Sequence, residues 1–160
     1  CLKALQLFDP DIEDMMIFKS DISNRSVEYL KHKRLGNMPL STYGDGIKKV
    51  LVLSNAIARA ANGILLIDEI ETSIHKKYYD DIFRFIVKAC DAFHVQAFIT
   101  THSIEAIDGL LGTQDYKMQM TNDAITVVTL KHENNKTYSR VLSGREVFEN
   151  REAFGFEVRL

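Results

Sequence analysis

Two adjacent carboxylates, Asp68 and Glu69, close the apolar run Ile64-Leu65-Leu66-Ile67. A run apolar at every position predicts a short strand buried on both faces, the central strand of a parallel sheet covered by helices on each side. The C-terminal edge of such a sheet is where ligands bind. There an Asp can orient Mg²⁺ on a nucleotide, and the Glu beside it can polarise a water for in-line attack on a γ-phosphate. Alternation along the strand sends the two side chains in different directions, as that division of labour requires. An acidic pair that merely opens a solvated loop carries the same local pattern.

The segment Ile99-Thr100-Thr101-His102-Ser103 closes the next apolar run, residues 95–100, and so belongs beside the carboxylates on the same edge. An imidazole there can donate to a γ-phosphate oxygen or hold the attacking water; a histidine packed at a helix start with its ring satisfied by backbone is the alternative. A third segment, Leu40-Ser41-Thr42-Tyr43-Gly44-Asp45-Gly46, runs into a helix. Backbone N–H groups at a helix N-terminus favour phosphate, and glycine allows close approach; an ordinary helix start capped by Asp45 fits the same residues.

The elements that must position these residues follow from periodicity. Residues 1–34 predict two strands around 15–18 and 27–30 joined by a loop, and three glycines and a proline between Gly36 and Gly46 predict irregular chain. From Ile47, the residues Val50, Leu51, Ser54, Ile57, Ala58 and Ala61 recur at helical spacing, and Asn62-Gly63 ends the pattern. A second stripe runs through Tyr79, Ile82, Phe83, Ile86, Val87 and Cys90. Ser103 is placed to cap a short helix reaching Leu111, with Gly112 beyond it. The alternation of strand and helix is that of a parallel α/β sheet. A hairpin over residues 124–131 and 137–142 around Asn134-Asn135, then a helix over 144–150, completes the chain.

The 160 residues balance 20 Lys+Arg against 22 Asp+Glu, which excludes a general electrostatic attraction to nucleic acid or an anionic membrane. No apolar run reaches bilayer-spanning length, and no membrane partner is expected. The two cysteines, Cys1 and Cys90, lack metal-type spacing; Cys90 reads as a buried thiol, which fits a reducing, cytoplasmic setting.

Taken together, the Ser41 to Gly46 loop, the Ile64 to Glu69 strand end, Glu71-Thr72-Ser73-Ile74-His75 and Thr100-Thr101-His102-Ser103 resemble, in order and spacing, the C-terminal lobe of ABC-class ATPase heads. The likeness is to soluble AAA-domain ATP-binding proteins related to the overcoming-lysogenization-defect ATPases, many from phage-defence loci, and it covers residues 36–112. The ending Asn150-Arg151-Glu152-Ala153-Phe154-Gly155-Phe156 is similar to that family's as well.

The resemblance implies the C-terminal half of a P-loop NTPase-like parallel sheet flanked by helices, with a terminal hairpin, in a single domain spanning 1–160. It implies ATP and Mg²⁺ as cofactors, Asp68 as metal ligand, Glu69 as general base and His102 on the γ-phosphate. Ser41, Gly44 and Gly46, joined by Ser73 of the D-loop, would meet the nucleotide held by a second head, so a homodimer is expected. His75 would bridge the heads or serve a structural role. Tyr43 and Asp45 depart from the transporter signature Leu-Ser-Gly-Gly-Gln, which favours the non-transporter branch. No Gly-x-x-x-x-Gly-Lys-Ser/Thr occurs, so the phosphate loop is expected in an N-terminal lobe of the same protein, and the start at Cys1 reads as a truncation. A nucleic acid or effector protein is a further expected partner. A non-hydrolytic regulatory or dimerisation module is the alternative. A Mg²⁺-dependent nuclease or topoisomerase-primase-like domain using Glu69, Asp68 and Glu71 would want further strand-end carboxylates, and Asp91 and Asp108 are not placed for that.

Overall fold

The computed structural model describes residues 2–19, 26–116 and 123–154. They form two compact units, residues 1–100 and 101–160. Cys1 and residues 20–25, 117–122 and 155–160 lie outside the described residues, and with them Gly155-Phe156 of the family-like ending. None of the described helices is long and apolar enough to cross a membrane.

The first unit opens with one helical turn, α1 (Leu2–Leu5), and the antiparallel sheet β1 (Ile12–Lys19), β2 (Ser26–His32) and β3 (Gly36–Pro39). The third strand corrects the expectation of irregular chain from Gly36. Its backbone pairs with β2 from His32↔Gly36 to Tyr29↔Pro39, and the proline falls on the last pair of an edge strand. A 3₁₀ turn, Leu40–Thr42, then leads into α2 (Asp45–Arg59). Leu5, Ile12, Leu30, Leu40, Ile47 and Leu51 form one core here, with Phe8 and Tyr43 packed against it.

The inward stripe of α2 is the one its periodicity predicts: Ile47, Val50, Leu51, Ser54 and Ile57 are buried. Ser54 hides its hydroxyl by donating to the Val50 carbonyl, 2.7 Å. The helix ends at Arg59, and the chain turns through Asn62-Gly63, where Asn62 takes a left-handed φ of 58°. The crossover β4 (Ile64–Ile67), α3 (Tyr79–Ala92), β5 (Gln96–Ile99) follows, and β4 and β5 pair in parallel, Ile64↔Gln96 through Ile67↔Ile99. Tyr79, Ile82, Phe83, Ile86 and Cys90 are the buried face of α3, and burial raises the Cys90 thiol pKa.

One expectation fails. β4 is not covered on both faces: Ile67 is buried, but Ile64 and Leu66 are 62% and 76% exposed, with Phe98 of β5 beside them at 53%. The sheet has two strands among the described residues, and only alternate side chains of β4 turn inward.

The second unit holds α4 (Ile104–Leu111), the hairpin β6 (Thr126–Glu133) and β7 (Lys136–Ser143), and α5 (Gly144–Phe154). Ser103 caps α4 by accepting from the Ala106 N–H, 3.1 Å, as its position before an apolar helix predicts. Asn134 and Asn135, both left-handed at φ 49° and 61°, make the two-residue turn. Leu111, Tyr116 and Val147 form this unit's core.

Candidate functional site

The strand ends of β4 and β5 bring the acidic pair into one hydrogen-bonded cluster. Because Ile67 pairs with Ile99, Thr100 lies across from Asp68. Its hydroxyl donates to Asp68 Oδ1 in a short contact and accepts from the Glu69 N–H at 2.9 Å. Two backbone bonds complete the clamp: Thr100 N–H to the Ile67 carbonyl, 2.9 Å, and Ile70 N–H to the Thr100 carbonyl, 3.1 Å. Asp68 and Glu69 are both exposed to solvent.

Glu69 sits at φ +45°, and Ser73, four residues on, at φ +66°. Such conformations are unfavourable for side chains other than glycine and persist where surrounding bonds over-determine them. At Glu69 those bonds are present. Besides its N–H, its carbonyl accepts from the Thr72 N–H, 3.0 Å, and from Lys49 Nζ of α2, 2.6 Å. Its carboxylate accepts from the Thr72 hydroxyl, 3.1 Å. Burial pulls the Lys49 ammonium below the ordinary lysine range, opposed by the negative charges of Glu71, Glu69 and Asp68.

The start of α2 meets the same turn. A Cβ on Gly46 would lie 2.8 Å from the Ser73 carbonyl oxygen, so the glycine is what allows the helix to approach residues 69–73. Gly44 is the N-cap, with open space around it. The alternative of a helix start capped by Asp45 is not what forms: no side chain caps the helix, and Asp45 pairs with Lys48, 2.9 Å. Ser41 is exposed in the 3₁₀ turn, whereas Tyr43 is half-buried against the core of the first unit. That packing accounts for an aromatic residue within this loop.

Of the residues singled out from the sequence, Asp68, Glu69, Gly46 and Ser73 thus converge on one turn. Ser41 and Gly44 stand at the head of α2. His102 is exposed and belongs to the second unit, directly before the Ser103 cap. His75 caps the 3₁₀ turn Lys76–Tyr78, its Nδ1 accepting from the Lys77 N–H, 3.2 Å. Sequence reasoning assigned no part to Thr100 or Lys49. The strand register supplies the signal for Thr100, once Ile67 and Ile99 are paired; nothing local marks Lys49, which reaches twenty positions along the chain.

Asp9, Asp11 and His32 bring possible metal-ligand atoms within 4.8 Å of one another. Their bonds are already committed. His32 Nδ1 accepts from the Arg34 and Leu35 N–H groups, each 3.1 Å, which leaves Nε2 to donate to Asp9 Oδ2, 3.1 Å. Asp11 pairs with Arg34 at 2.6 Å. The cluster fastens the segment before β1 to the end of β2.

Comparison with known proteins finds relatives in sequence and in fold. An uncharacterized protein of Methanocaldococcus jannaschii, MJECL11, is 29% identical over 118 residues, 72% of this chain and 98% of that protein. An ATP/GTP phosphatase of Helicobacter pylori is 28% identical over 160 residues, covering 94% of this chain and 40% of that relative, so the chain spans well under half of its length. A solved structure described under "ATP-driven dimerization and DNA stimulated activation of SMC ATPases" matches with a TM-score of 0.61 at 11% identity, over 97% of this chain and 88% of that one. The fold is accordingly mixed α/β, with parallel and antiparallel sheets, and is shared with that structure. A family model described as "AAA domain, putative AbiEii toxin, Type IV TA system" matches residues 3–108. That span takes in well over half of the sequence, including every element that builds the Asp68–Glu69 turn, and the chain belongs to this AAA-domain family.

Proposed function

We propose that this chain is the part of an ABC-class ATPase head that offers Asp68 and Glu69 to ATP and the head of α2 to the nucleotide of a second head. The observation that carries the reading is the Asp68–Thr100–Glu69 clamp at the C-terminal edge of a parallel strand pair. It joins the exposed Asp68 carboxylate and the Glu69 backbone N–H through one hydroxyl, and Glu69 stands there at positive φ.

Asp68 fits a hard cation: it is an exposed carboxylate, with the Thr100 hydroxyl engaging Oδ1. Mg²⁺ bound there would neutralise charge on the β- and γ-phosphates. Glu69 takes the proton of the attacking water, and Thr100 and Thr72 hold it in place. His102 donates to the γ-phosphate. Ser41, Gly44, Gly46 and Ser73 face the nucleotide of the partner head, where the N-terminal N–H groups of α2 favour phosphate. The Asp45–Lys48 pair offsets the repulsion an unpaired Asp45 would exert there.

The ATP/GTP phosphatase relative supports the nucleotide chemistry, and the description of the similar structure, which names ATP-driven dimerization, supports a homodimer. An N-terminal lobe of the same protein would supply the phosphate loop, and a nucleic acid or effector protein would respond to the ATP state. Turnover by the full-length protein tests the reading. Glu69→Gln keeps size and hydrogen bonding but cannot accept the proton, so hydrolysis should fall about 10²–10⁴-fold while Mg-ATP binding persists. Asp68→Asn should weaken Mg²⁺ and nucleotide binding together. Hydrolysis by Glu69→Gln within a few-fold of the parent would refute the assignment.

A further inference from the structure

The bond from Lys49 to the Glu69 backbone is unexplained by the proposed reaction, which uses only the Glu69 carboxylate. We infer that Lys49 is a positioning residue: its ammonium, reaching from the first turns of α2 to the Glu69 carbonyl, holds the left-handed backbone that aims the Glu69 side chain. The inference rests on the ATPase reading above for its catalytic consequence, but not for the contact itself.

Three observations carry it. First, Glu69 adopts φ +45° without being glycine or asparagine, so its backbone stays there only while bonds on both sides of the residue are satisfied. Second, those bonds divide by origin. The N–H is held from β5 through Thr100, and the carbonyl is held within the turn by Thr72 and from outside the turn by Lys49 at 2.6 Å. A carbonyl with two donors cannot rotate into the ordinary right-handed arrangement without losing them. Third, the lysine is half-buried, and the segment that presents it lies close to the turn, so close that a Cβ on Gly46 would stand 2.8 Å from the Ser73 carbonyl oxygen. A movement of α2 is thereby transmitted to the backbone of Glu69 through a single side chain.

The test uses Lys49→Met, which keeps the apolar stem and removes the ammonium, and Lys49→Arg, which restores a cationic donor. In the full-length protein, Lys49→Met should lower kcat about tenfold, the effect of one charged hydrogen bond, with KM for Mg-ATP within about twofold. Lys49→Arg should recover most of the loss. Met and Arg variants equally impaired, or a Met variant of parental kcat, would overturn the inference.

A second measurement is independent of turnover. Glu69-Ile70 is the one Glu-Ile pair in the sequence, so labelling Glu with ¹³C at the carbonyl and Ile with ¹⁵N isolates that peptide bond in the chain's NMR spectrum. Lys49→Met should move this signal, and Lys49→Arg should return it towards its place. A signal unmoved by Lys49→Met overturns the contact, whereas absence of ATP turnover in the parent overturns the ATPase reading and, with it, the catalytic consequence of Lys49.

Discussion

Replacing Gly46 by alanine sets two opposing effects against each other and makes the sign of the result informative. In an α-helix, alanine is favoured over glycine by about 1 kcal/mol, and near the first turn, where Gly46 lies, by about half of that. Against this stands the new methyl carbon, 2.8 Å from the Ser73 carbonyl oxygen. Ordinary contact for a Cβ begins at 3.4 Å, so 3.4 − 2.8 = 0.6 Å must be found by moving backbone on one side or the other. Neither side yields freely. The turn is tied to β5 and α2 through Glu69, and the start of α2 is packed through Ile47 into the core. Overpacking of this kind costs about 1–3 kcal/mol, leaving a net destabilisation of about 0.5–2.5 kcal/mol, centred between 1 and 2. For a chain of this size that lowers Tm by about 2–8 °C. Urea denaturation followed by far-UV circular dichroism measures it. Gly44→Ala is the control: at φ −63° with nothing within 4 Å, it should lose only the small N-cap advantage of glycine, under about 1 kcal/mol. A Gly46→Ala chain more stable than its parent would show that helix propensity acts alone and that α2 does not approach residue 73.

Thr100→Val keeps the β-branched shape and removes the hydroxyl shared by Asp68 and the Glu69 N–H; it should cost about 1–2 kcal/mol by urea titration and raise the Mg²⁺ concentration needed for turnover in the full-length protein. Gly144→Ala would drive a methyl into the Tyr116 hydroxyl and to 2.9 Å from Asp123 Oδ1, so a loss of about 2 kcal/mol or more is expected in a thermal melt. Acid should weaken the second unit through Asp123. Burial works against its carboxylate, but hydrogen bonds from the Arg145 and Ile125 N–H groups and from Tyr116 and Ser143 outweigh it and lower the pKa. A depressed folded pKa gives stability that is present above the unfolded value near 3.8 and lost as pH falls through the folded one, and Asp123→Asn should flatten that limb of the stability–pH curve. Tyr116 acts at the other end: burial, then the Asp123 charge, raises its hydroxyl pKa, so its contribution is present below about 10 and fades as pH rises further.

What the sequence disclosed is what local periodicity and capping control. The α2 and α3 stripes, the Ser103 cap and the Asn134-Asn135 turn are each set within a few neighbouring residues, and each appears where the pattern puts it. Gly36-Asn37-Met38-Pro39 was misread because glycine and proline mark breaks locally, whereas pairing with β2 decides the outcome. The exposure of Ile64 and Leu66 was equally hidden, since an apolar run reports what a strand can bury and not how many layers stand beside it. Asp68 and Glu69 were visible as a strand end; their fastening by Thr100 and Lys49 was not, because it depends on which residues the tertiary fold sets opposite them.

The 32-position separation between Asp68 and Thr100 also bears on the order of events in folding. Parallel pairing of β4 with β5 requires the whole α3 crossover between them, and contacts so distant in sequence pay their loop-closure entropy before they return any energy. On the ribosome, a nascent chain emerged only as far as the end of α3 already holds both carboxylates, with Lys49 and Thr72, but not the Thr100 hydroxyl that joins Asp68 to the Glu69 N–H. The Asp68–Thr100–Glu69 clamp therefore closes only once β5 has docked beside β4.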